Sequence, residues 1–304
     1  GDGFLSVGLP VSELSDLVDA NGHALSSLID AGGAVHAEGG RIYLSAEAAS
    51  SLMMRAINVP GDLIASSVSH DAQGNIVLEA GAGGATVTGN LSAGHIDVHG
   101  GNVALGGSLN ADGVNGGAVN VASDHDLLLA GHTSARGSNG AGGAVNYSAG
   151  GQLIETSASV TDASGAQAGG AISVNANDIL SSGNYAARGV TGAGGRIDVT
   201  GGNVTLASAH LDASGRSQGG LVRVGGAYQG GAGLAPASSV FLNDGVTINV
   251  SSSGGAGGTA IVWSQNETTM LGGVDARGQR GGGFVEVSSA DTLRTVDLSR
   301  IVTG

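Results

Sequence analysis

One cassette recurs along the chain and leaves few folds open to it. It reads ADGVNGGAVNV (Ala111–Val121), ARGSNGAGGAVNY (Ala135–Tyr147), ASGAQAGGAISV (Ala163–Val174), ARGVTGAGGRIDV (Ala187–Val199), ASGRSQGGLVRV (Ala213–Val224) and ARGQRGGGFVEV (Ala276–Val287). Each copy has a small residue, a glycine turn, a Gly-Gly pair and a strand of alternating apolar residues. The second glycine of the pair falls at Gly117, Gly143, Gly170, Gly195, Gly220, Gly258 and Gly283, with spacings of 26, 27, 25, 25, 38 and 25. A period in that range marks stacked repeats, each too small to hold a core of its own.

Composition agrees with a folded stack. Glycine makes up 59 of 304 residues, without the strict third-residue spacing of collagen and interleaved with Val, Ile and Leu. An apolar content of 41% and a charged content of 12% are the reverse of a disordered chain. The basic residues are all arginine, and a net charge of −14 argues against a nucleic-acid partner. No cysteine is present, which excludes disulfide scaffolds, thiol catalysis and thiolate metal sites. No apolar run reaches the length of a membrane span, so no membrane insertion is expected. Gly1 opens no signal peptide, and the missing methionine suggests a piece of a longer polypeptide.

Residues 1–61 read as N-terminal coils decorated by short helices, one from Ser12 to Gly22 and one over Ala46–Asn58. Between them, Leu28-Ile29, Ala34–Ala37 and Arg41–Leu44 read as strands. Residues 62–304 read as the regular body, with short strands such as Ile64-Ala65, Ile76–Leu78, Thr86–Thr88, His95–Val98 and Val103–Leu105. Each later repeat has room for three; after Gly117 they are Ala118–Val121, Leu127–Ala130 and Thr133–Ala135. The fold class is therefore all-β, a parallel β-helix of about 25-residue coils with one or two short helices near the N-terminus.

Alignment on the glycine pair orients the side chains, because strand residues alternate between faces. Ile42, Val103, Val119, Val145, Ile172, Ile197, Val222, Ala260 and Val285 form one inward ladder. Leu44, Leu105, Val121, Tyr147, Val174, Val199, Val224, Val262 and Val287 form a second. Between them Tyr43, Ala104, Asn120, Asn146, Ser173, Asp198, Arg223, Ile261 and Glu286 form a mixed, mostly polar outward ladder. Ten to twelve coils would build a rod of roughly 50–60 Å at one strand spacing per coil. The glycines suit corners with left-handed backbone and close approach between coils. The long interval contains Gly225–Val250, an insertion that reads as an excursion lying on one side of the rod.

The runs LDASGRSQGGLVRVGGAYQG (Leu211–Gly230), GGTAIVWSQNET (Gly257–Thr268) and DARGQRGGGFVEVSS (Asp275–Ser289) resemble the β-helical region of filamentous-haemagglutinin-like exoproteins of Gram-negative two-partner secretion systems. GDGF (Gly1–Phe4), AGGAVHAEGGRIYLSAEAA (Ala31–Ala49) and INVPGDLIAS (Ile57–Ser66) are similar to the segment that follows their secretion domain. The resemblance implies a right-handed parallel β-helix, exported unfolded through an outer-membrane partner transporter and folded outside the cell. Relatives act as adhesins, haemagglutinins, biofilm-matrix proteins, haem-acquisition proteins or toxin-delivery shafts.

Motifs with chemistry are few. His95 and His99 share a strand face around Asp97, and His125 and His132 lie near Asp124 and Asp126. Neither pair has the further ligands a metal needs. The glycine turns lack the Asp of calcium-binding nonapeptides, and no lysine completes a phosphate loop. Carboxylates on the outward ladder are too sparse for the paired acids of a glycosidase, and Asp198 with Arg223 reads as a surface ion pair. Five N-x-S/T sequons occur, at Asn90, Asn146, Asn203, Asn249 and Asn266. No catalytic, cofactor-binding or metal residue is expected. The candidate partner surface is Tyr228, Ile261, Trp263 and Phe284, unless the insertion covers it. The expected function is that of a non-enzymatic, secreted surface adhesin or spacer shaft that meets an unidentified host, glycan or matrix ligand. The alternatives are a carbohydrate-active β-helix enzyme, which would need three or more Asp, Glu or Arg on adjacent coils in a groove, and a haem- or carrier-protein-binding module.

Overall fold

The computed structural model describes residues 4–9, 27–37, 39–46, 56–65, 74–295 and 298–304. Alternating apolar residues in runs of three to six, cut by glycine, allow only short strands, and these stack in parallel as about ten turns of roughly 26 residues. Each coil places strands on three faces. In one coil these are Ala118–Ser123 on the first face, Leu127–Leu129 on the second and His132–Ser134 on the third. Every recorded pairing joins a strand to its equivalent one coil away, so the third face is an 11-stranded sheet. The first two faces merge into a 19-stranded sheet, because strands such as Ala144–Glu155 and Ala171–Ser181 run through the bend between them.

Register explains the core. On the first face Ile42, Ile76, Ile96, Val119, Val145, Ile172, Ile197, Val222, Ala260 and Val285 stack in one line. Ile42, Ile76, Ile96, Ile197 and Val222 are wholly buried, and each such side chain is worth about 1.5–3 kcal/mol over exposure. Val103 and Leu105 do not belong to this line, contrary to the alignment on glycine pairs. They pair with Ala85 and Val87 below and Leu127 and Leu129 above, on the second face. The pair Gly100-Gly101 there ends a first-face strand instead of preceding one.

The cassette glycines serve close approach. Among the described residues none of the pairs from Gly116-Gly117 to Gly282-Gly283 has a left-handed φ, whereas Gly39, ahead of the strand Arg41–Ala46, has a φ of 64°. A Cβ on Gly195 would overlap the carbonyl oxygen of Gly170 one coil below, and one on Gly194 that of Ala213 one coil above. The same Gly195 N–H donates to the Ala187 carbonyl at 2.7 Å, closing the cassette loop, and Gly143, Gly170 and Gly283 repeat that bond. Ahead of the loop, the side chains of Asn110, Asp162, Asp212, Asn249 and Asp275 each accept the backbone N–H two residues on. These Asx turns start the corner that the glycines finish.

The helix expected over Ala46–Asn58 is not supported at its ends: Ala46 closes the strand Arg41–Ala46, and Ile57–Val59 is a strand paired with Ala85–Val87. Helix-favouring composition yields there to the ladder, in which Ile57 and Val59 are buried. The interior of that segment, and the helix from Ser12 to Gly22, lie outside the described residues.

Candidate functional site

The long interval folds over the first face. After Val224 the chain leaves the stack at Gly225, makes a single 3-10 turn at Tyr228–Gly230 and returns at Ser239–Leu242. A Cβ at Gly226 or Gly230 would strike the Trp263 indole, so bare backbone lies against the ring. Gln229 adopts a left-handed φ of 50°, a conformation that costs about 1–3 kcal/mol unless its surroundings hold it. Its N–H donates to both carboxylate oxygens of Glu286, at 3.1 and 3.2 Å. The Tyr228 ring meets Phe284 edge-on, with centroids 5.6 Å apart.

Of the four residues singled out in sequence, Ile261 and Trp263 are therefore covered, at 5% and 8% exposure, while Tyr228 and Phe284 stay half open at 51% and 46%. Neighbouring Asp198 and Arg223 are also buried, which corrects their reading as a surface pair. Arg223 Nε and Nη2 donate to the two Asp198 oxygens at 2.7 and 3.1 Å. Arg196 donates to the same carboxylate. Such a bidentate pair, out of solvent, is costly to break from one side.

The histidines form ion ladders. His99 reaches Glu79 through Nδ1 at 3.3 Å and Asp124 through Nε2 at 3.1 Å, and so ties three coils together. Desolvation works against the imidazolium, but hydrogen bonds and charge from Asp124 and Glu79 prevail and raise His99 above its ordinary value. His95 pairs with Asp97 at 2.8 Å. Among the described residues no group of three or more His, Asp or Glu is arranged to hold a metal ion.

Two outward surfaces escaped the sequence. On the third face, Asp162, Asn184, Arg188, His210, Asp212 and Asn249 line an open groove over four adjacent coils. Arg136 and Arg188 each reach the aspartate of the next coil, at 3.5 Å to Asp162 and 2.7 Å to Asp212. His210 Nδ1 lies 2.6 Å from Thr247 Oγ1. This is a row of Asp and Arg on adjacent coils in a groove, although both aspartates also serve the Asx turns of the fold. On the second face Leu128, Ile154 and Leu180 stand in register and at least 36% exposed. Beside them the smaller Thr86 and Ala104 leave a recess.

Of the sequons, Asn90, Asn146 and Asn203 carry exposed side chains already bonded along the rod. Their amides donate to Asp62, Asn120 and Asp178 at 2.8, 2.8 and 2.7 Å. The chain thus presents bonded polar rows and shallow recesses on all sides of one stack.

No protein-family model matches the chain, and no curated protein matches it. Among solved structures, the HMW1 secretion domain from Haemophilus influenzae aligns at a TM-score of 0.41 and 21% identity, over 90% of this chain and 79% of that one. A superposition so loose adds nothing to what the strand register already establishes. No helix among the described residues is long and apolar enough to cross a membrane.

Proposed function

We propose that this chain is a non-enzymatic segment of a secreted surface exoprotein, a stiff shaft that holds partners along its sides. The observation that carries the reading is the unbroken register from Phe4–Leu9 to Phe284–Ser289. Each coil is held by the next, so length and stiffness are built together. The sequence resemblance to filamentous-haemagglutinin-like exoproteins supports export through an outer-membrane transporter. Adhesion would be the sum of many weak contacts along the third-face groove and the apolar row, which multivalency strengthens without any deep pocket.

A carbohydrate-active enzyme is the second reading, favoured by the row Asp162, Arg188 and Asp212. Against it, each aspartate already accepts a backbone N–H and faces a guanidinium. One assay separates the two. The chain, fixed to beads, is passed over an array of polysaccharides and cell-surface glycans, with retention and new reducing ends both measured. The shaft reading expects retention without cleavage, lowered when Arg188→Ala and His210→Ala are combined. Cleavage abolished by Asp162→Asn or Asp212→Asn would establish the enzyme, and no retention anywhere would remove the adhesive role.

A further inference from the structure

Among the described residues the inward ladders turn polar together over a few adjacent coils, apart from the separate buried pair Ser264 and Thr268. The second-face ladder runs Val87, Leu105, Leu129, Glu155, Ser181 and Leu206. The third-face ladder runs Leu109, Thr133, Thr161, Tyr185 and Leu211. The first face contributes Tyr147 between Val121 and Val174. Glu155 is 2% exposed, and Thr161, Ser181 and Tyr185 are as deep.

Hydroxyls alone satisfy the carboxyl. Ser159 Oγ donates to it at 2.6 Å and Ser181 Oγ at 2.9 Å, and the Tyr185 hydroxyl completes the set. The Tyr147 hydroxyl lies 3.1 Å from Thr161 Oγ1 in the same layer. The titratable groups facing Glu155 are the two phenols, Tyr147 from its own strand and Tyr185 from the third face. The other side chains packed on it, Leu129, Ser159 and Ser181, carry no charge, and none of its recorded partners is an arginine or a histidine. Gly183 leaves it room, since any side chain there would strike the carboxyl.

A carboxylate without a cation in an apolar interior is costly, and such a group takes a proton instead. We infer that Glu155 sits in the closed rod as a neutral acid, so that closing the stack here takes up a proton and rising pH weakens it here. Burial is the main force raising Glu155 above its ordinary value, against the three hydroxyl donors that lower it. Burial likewise raises both phenols, which stay neutral beside it. A folded value above the unfolded one means that the stability from this layer is fully present below the ordinary glutamate range. It is lost as pH rises through the folded value, with the folding equilibrium falling about tenfold per pH unit in that window. A chain that folds after export would close more completely in acidic surroundings.

Carbon NMR of the full chain, labelled with 13C-glutamate, tests this without a substitution. The chain has seven glutamates, and a pH titration should show one carboxyl that holds its proton above the ordinary glutamate range. A titration in which no carboxyl does so would overturn the inference. Glu155→Gln then assigns the signal and, by denaturant unfolding from pH 5 to 9, should flatten the decline in midpoint seen for the unsubstituted chain. A protonated signal that persists in Glu155→Gln, or identical pH profiles for the two folded chains, would also overturn it.

Discussion

At Gly195 the chain has space for a hydrogen and nothing larger, because the carbonyl oxygen of Gly170 occupies the place of a side chain. Gly195→Ala should therefore destabilise by about 1–3 kcal/mol, as overpacking does, read as a lower midpoint in chemical denaturation. The buried pair gives a sharper contrast. Arg223→Ala removes the buried bidentate partner and leaves Asp198 only Arg196, so it should cost up to about 3–5 kcal/mol, whereas Asp198→Val with Arg223→Ile should restore most of that loss. Ile261, the next residue on the same ladder, already shows that an apolar side chain fits there. His99 is partly exposed, and its test is a titration. Its imidazole should lose its proton above the ordinary histidine value, and Asp124→Asn should bring it down. Because its folded value is raised, its stabilising contribution is complete below the ordinary histidine value and fades as pH climbs through the folded one.

Ladders and the excursion are the elements that decide what the rod exposes. Val222 lies between Ile197 and Ala260, so Val222→Asp puts an unpaired charge into the core. The expected cost is about 3–5 kcal/mol, and a folded chain with an unchanged melting curve would contradict the ladder. Trp263 is the only tryptophan and reports on the excursion. Replacing residues 226–236 by a short linker should shift its fluorescence to the red, while leaving the far-ultraviolet spectrum of strands in place. The sequence made these ladders readable wherever the glycine pair precedes a strand, because Val, Ile and glycine repeat together. It misled at Val103, where Gly100-Gly101 closes a strand, and a glycine pair alone does not tell a beginning from an end. Asp198 and Arg223 looked solvated because they stand on the outward ladder, yet both are buried in their bidentate pair. Leu128 was hidden inside Leu127–Leu129, where three identical residues conceal which one points out. Glu155 was missed because its ladder becomes visible only after Leu129, Glu155 and Ser181 are paired across coils.

For the molecule as a whole, register turns coil number into length. Ten turns at one strand spacing each make roughly 48 Å of rod, with Asp, Asn and Arg recurring along its outward rows. The fold was legible because the same cassette had to solve the same packing problem each time. Function was less so, since partner-facing groups occupy outward positions that packing leaves free to vary. The most direct measurement uses spin labels on the second-face outward row in this cysteine-free chain. Leu128, Phe241 and Arg294 are linked on that row by in-register pairing through Ile154, Leu180, Thr205 and Thr269. From Leu128 the label distances should grow with coil number, to roughly 19 Å at Phe241 and roughly 29 Å at Arg294. Distances that stop growing between those two positions would contradict a continuous stack, and with it the shaft.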